Sequence, residues 1–136
     1  MSEENLEIVI PEINSESGLN LCSGNKKIYI QSLRLFISNI PATLIKIRDV
    51  TEDNLKNYLI SVHSLKGMCD YIGAQEARIK AKQLEDLADA GDFKVLQEQN
   101  ENFIKQIEII INNIQTWLDS NSNFVDKIIN AGRGNG

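Results

Sequence analysis

A chain of 136 residues is enough for one domain with a single proper core. Apolar residues make up 42% and charged residues 24%, ordinary values for a soluble globular protein. The formal net charge is −5 and the 14 Lys and Arg are scattered, which argues against a nucleic-acid binder with its basic stripe.

Residues 1–12 hold a short apolar stretch, Ile8-Val9-Ile10, stopped by Pro11, and read as an extended lead-in. Asn14 or Ser15 can cap a short helix through Leu19 and Leu21 that ends at Gly24. Tyr29, Leu33, Phe36, Ile37 and Ile40 then fall on one stripe at helical spacing. Pro41 removes a backbone donor, so a kink or restart is expected there, with Leu44 and Ile47 on the continuation.

Thr51, followed by Glu52 and Asp53, has the chemistry of a helix start: a capping hydroxyl, then acids near the positive end of the dipole. The spacing predicts a helix over about 51–72, stopped by Gly73. A third segment over 75–90 places Ala77, Ala81, Leu84 and Ala88 on one face; Gly91 ends it and Asp92 can cap the next. The last long helix has the cleanest stripe: Phe103, Ile107, Ile110, Ile111, Ile114 and Trp117. Residues 120–130 suit a further short helix, and a disordered tail is expected over 131–136.

No segment alternates as a strand does. The expected fold is all-α: an antiparallel four-helix bundle over 13–130, with a short N-terminal helix and a short C-terminal one. Neither Cys22 nor Cys69 has a partner at metal-ligand spacing, and only one histidine exists, so no metal site is expected. Both thiols read as reduced and partly buried. Uninterrupted apolar runs such as Ile109-Ile110-Ile111 are far too short to cross a bilayer, and the acidic start lacks a secretory apolar region. A cytoplasmic monomer without membrane insertion is expected.

Chemistry shows at one place. On the wheel of the 51–72 helix, Leu55, Tyr58, Val62, Leu65, Cys69 and Ile72 form the core face, and His63 stands on the far side. Its flank holds Lys56, Leu59, Ile60, Lys66, Gly67 and Asp70. Gly67 lies inside the helix, where glycine costs about 1 kcal/mol relative to alanine. At i+4 from His63 it leaves bare backbone beside the ring, which gives another protein clearance. Lys66, at i+3, can reach a group attached to the imidazole and suits a phosphoryl oxygen. Ile60 is apolar where a helix normally turns a polar residue outward, and adds docking surface. An accessible imidazole is a competent nucleophile near neutral pH. With no glycine-rich nucleotide loop and no carboxylate cluster for magnesium, the remaining machinery must come from a partner. Duller readings stand beside these: Lys66 as a solvated lysine, Gly67 as a helix-packing residue (though off the core stripe), and Leu59 as an edge of the core.

The segment His63-Ser64-Leu65-Lys66-Gly67, followed by Gly73-Ala74, resembles the histidine-containing phosphotransfer (HPt) domain family, whose pattern is His-x-(Leu/Ile)-Lys-Gly, five residues, then Gly. Gly18-Leu19, the stretch from Gly24-Asn25 to Phe36, and Leu84-Glu85 resemble other parts of the family, of the type serving hybrid sensor kinases; the likeness covers roughly 13–118. It implies phosphorylation of His63 at Nε2 and exchange with the aspartate of response-regulator receiver domains, with a sensor histidine kinase upstream. It implies that Lys66 contacts the phosphoryl oxygens and Gly67 gives clearance. It also implies that a polar residue of the next helix hydrogen-bonds the imidazole, by offset Glu85 or, less well, Gln83; Glu85 also reads as a solvated acid. Magnesium belongs to the receiver, and this chain is expected to need no cofactor and to act as a transfer intermediate without catalytic machinery of its own. The chain departs from the family in having Met68 and Asp70 between the two glycines, where small residues are favoured; Asp70 can offset Lys66 or select among receivers. Two rival functions remain: the phosphorylated domain of a chemotaxis-type kinase, and a helical adaptor that binds receivers without exchanging phosphate.

Overall fold

A computed structural model describes residues 7–131, which form six helices and no strand. The chain runs α1 (Ser15–Leu21), α2 (Lys26–Ile47), α3 (Leu55–Ile72), α4 (Gln75–Ala90), α5 (Phe93–Ser120) and α6 (Ser122–Asn130). Helices α2 to α5 pack in a ring, each against the next, and α5 closes back on α2. Short links make consecutive helices antiparallel, the arrangement of a four-helix bundle. Helix α1 leans on α3 and α2, and α6 folds onto α2 and α5. The expected tail lies, from residue 132 onward, outside the described residues, as do residues 1–6 of the lead-in.

The core follows the apolar stripes. Tyr29, Ile30, Leu33, Phe36, Ile40, Leu44 and Ile47 enter it from α2, and Leu96, Phe103, Ile107, Ile110 and Ile114 from α5. Each such large side chain contributes about 1.5–3 kcal/mol when fully buried. Trp117 meets Phe124 edge-on at 6.1 Å, which fastens α6 to the end of α5. Helix α2 is, at 22 residues, long and apolar enough to cross a bilayer, unlike any uninterrupted apolar run. Its most apolar face is instead spent on the bundle core.

Two helix features differ from the sequence expectation. Helix α2 passes through Pro41 without a restart. Pro41 is exposed, so the missing hydrogen bond falls on the wet side while Ile40 and Leu44 anchor the helix on the dry side. Helix α3 begins at Leu55, not near Thr51. Thr51 and Asn54 satisfy each other instead: the Thr51 N–H donates to Asn54 Oδ1 (2.8 Å) and the Asn54 N–H to Thr51 Oγ1 (3.3 Å). This closes a turn before the helix and uses the cap chemistry locally. Leu55 is accordingly only half-buried, at the margin of the core.

From Asn14 onward the other boundaries follow their caps. Asn14 Oδ1 accepts from the Ser17 N–H, Asn25 Oδ1 from Ile28 and Asp92 Oδ1 from Val95. Gly73 and Gly91 end α3 and α4 in the left-handed conformation, φ 86° and 72°. Gly73 also lies so close to the Asn14 carbonyl that a Cβ would collide with it, and its own carbonyl accepts from the Asn14 N–H at 2.9 Å. The lead-in is thereby strapped across the α3–α4 turn, with Ile8 and Ile10 buried and Asn113 of α5 donating to the Pro11 carbonyl.

Candidate functional site

Burial of Tyr58, Val62, Leu65, Cys69 and Ile72 fixes the rotation of α3 and turns His63 outward, with 71% of its side chain exposed. The depth of α3 is set from α5. Asn100, the one buried polar residue among those described, accepts from the Tyr58 hydroxyl (2.8 Å) and donates to the Ile47 carbonyl (2.7 Å). Gln97 donates to the Val50 carbonyl. One face of α5 thus pins the end of α2 and the start of α3 together.

Helix α4 approaches α3 along small side chains, Ala77, Ala81 and Ala88, which allows close contact. Glu85 lies at that seam with only 17% of its side chain exposed. Its Oε2 sits 3.4 Å from His63 Nδ1 and its Oε1 2.7 Å from Lys66 Nζ. Burial alone would raise the Glu85 pKa, but the Lys66 ammonium and the imidazole together outweigh it and hold the carboxyl below its ordinary range. A carboxylate only accepts, so the proton belongs on Nδ1 and the lone pair on Nε2. Nε2 has no hydrogen-bond partner among the described residues.

Of the other residues singled out in the sequence, Gly67 is exposed and a Cβ there would meet nothing within 4 Å. Ile60 is 61% exposed, whereas Leu59 is half-buried against the core and belongs to its edge. Gln83 is exposed and makes no hydrogen bond or ion pair among the described residues; Glu85 alone of the two reaches the ring. Asp70 is exposed and lies 3.5 Å from Nε of Arg78, on the first turns of α4. Among the described residues no group of three or more His, Cys, Asp or Glu side chains is placed to hold a metal.

Sequence reasoning passed over two features. An apolar groove of about 250 Å³ runs between α2 and α3 beside Gly67, lined by Leu35, Met68 and Tyr71. The signal for it was Leu35, an apolar residue off the core stripe of its helix. Arg78 gave no signal, because its relation to Asp70 depends on how tightly the α3–α4 turn closes.

The chain matches the family model of the Hpt domain over residues 31–117. No curated protein and no solved structure matches it.

Proposed function

Because this chain belongs to the Hpt domain family, whose members perform histidine phosphotransfer in two-component phosphorelays, we propose that His63 is the residue that carries the phosphoryl group. The observation that supports this most is the division of the imidazole: Nδ1 faces a buried-edge carboxylate while Nε2 faces solvent. In the forward step the Nε2 lone pair attacks the phosphorus of an aspartyl phosphate on a partner. The N–P bond forms, the P–O bond to the aspartate breaks, and the partner's carboxylate leaves with the electron pair. The ring keeps its Nδ1 proton and becomes cationic, and Glu85 stabilises that charge. No proton has to leave, which fits a site without a general base.

Lys66 then turns from Glu85 to the phosphoryl oxygens, as its length and flexible stem permit. Gly67 lets the partner's backbone approach, and the groove beside it takes apolar side chains around the reacting atoms. The family interacts with receiver and kinase domains; for this chain we propose the aspartate of a receiver domain as exchange partner, with magnesium held by the receiver. Work in the cytoplasm, a reducing compartment, suits the free thiols of Cys22 and Cys69.

Incubation with a phosphorylated receiver domain tests the reading. The expected result is an acid-labile, base-stable label on this chain that His63→Gln abolishes. A labelled His63→Gln chain moves the site elsewhere, and an unlabelled wild-type chain that still binds receivers makes it an adaptor.

A further inference from the structure

One ammonium beside His63 has two acids within side-chain reach, and contacts one of them. Glu85 holds Lys66 at 2.7 Å from α4, and Asp70 stands at i+4 from Lys66 on α3 itself, within side-chain reach. Asp70 does not take that contact; its carboxylate lies 3.5 Å from Arg78 Nε, on the α4 side. Arg78 and Asp70 are both substantially exposed and lie one helical turn beyond the open backbone of Gly67. The strip approached by a partner therefore carries two balanced pairs, Lys66–Glu85 and Asp70–Arg78.

A phosphoryl group on His63 brings nearly two negative charges to this strip. Lys66 must then leave Glu85 for the phosphoryl oxygens, and any second carboxylate able to claim it lowers the fraction of time it is available. An unneutralised Asp70 would also repel both the phosphoryl group and an acidic partner surface, at a range where exposed charges still interact.

Resting on the phosphotransfer reading above, we propose that Arg78 is a positioning residue for the reaction: it draws Asp70 away from Lys66 and cancels its charge, leaving Lys66 a single carboxylate to exchange for phosphate. It touches neither the imidazole nor the transferred group. Its effect is modest, of the size of an exposed ion pair.

The test measures initial rates of phosphoryl transfer to the full-length chain from a receiver domain that labels the wild type, at low and high salt. Arg78→Ala is expected to slow transfer about threefold at low salt, with the difference shrinking as salt screens Asp70. Asp70→Asn should transfer at least as fast as wild type, and adding Asp70→Asn to Arg78→Ala should restore the rate. If the pair were only a clamp between α3 and α4, Asp70→Asn would be as slow as Arg78→Ala and the double variant would not recover; that result overturns the proposal. So does an Arg78→Ala rate equal to wild type at low salt. Absence of label on the wild type from every receiver tried would strike the phosphotransfer reading instead, and is told apart from failure of Arg78 by that control.

Discussion

Glu85 has two oxygens and gives one to the imidazole and one to the ammonium, so a single side chain sets both the ring's proton and the cation's resting place. His63 itself supports little of the fold, being turned to solvent. His63→Gln should therefore abolish labelling while moving the unfolding free energy by less than about 0.5 kcal/mol, read from urea denaturation. Gly67→Leu separates clearance from stability in the same way. With nothing near its Cβ, the substitution should leave the bundle folded, yet slow transfer from a receiver at least tenfold, about 1.4 kcal/mol of barrier. Equal rates for Gly67→Leu and wild type would remove clearance from the account.

At the scale of helices, the registry of α3 rests on Asn100. Asn100→Leu would leave the Tyr58 hydroxyl and the Ile47 carbonyl without their partner and should cost about 2–4 kcal/mol, measured by denaturant unfolding. The two helix-ending glycines form a natural pair of controls. Gly91→Ala meets only the left-handed backbone and should cost about 1 kcal/mol, whereas Gly73→Ala meets the Asn14 carbonyl as well and should cost clearly more. Comparable losses at the two sites would mean that the lead-in is not held against the α3–α4 turn. The limits of α4 were legible in the sequence because Gly73 and Gly91 bracket it and its alanines repeat at helical spacing. The outward face of His63 was legible for the same reason, from the apolar residues opposite. The true start of α3 was not, since Thr51 has the same capping chemistry whether it serves a helix or the turn with Asn54. Nor was continuity through Pro41, which depends on where the core lies relative to that face. The burial of Ile8 and Ile10 and the Asn100 tie between α2, α3 and α5 rest on contacts between segments far apart in sequence, which periodicity does not encode.

For the molecule as a whole, the depressed pKa of Glu85 is a statement about acid stability. A group whose folded pKa lies below its unfolded value adds stability above the unfolded pKa and loses it as pH falls through the folded one. Unfolded Glu titrates near 4.3, so the contribution of Glu85 is complete at neutral pH and is lost as the medium is acidified from about pH 5 downward. Thermal unfolding of wild type and Glu85→Gln across that window should show a shallower acid slope for the variant. Identical slopes would mean that the carboxylate gains nothing from Lys66 and His63 in the folded state.

A lone imidazole nitrogen, open on one face of one rod, admits a single visitor. If His63 is the carrier proposed above, whatever loads the group and whatever collects it must occupy the same ground in turn, so a large surplus of either keeps the other away. Throughput in such a relay would fall when a collector that cannot take the group crowds the doorway.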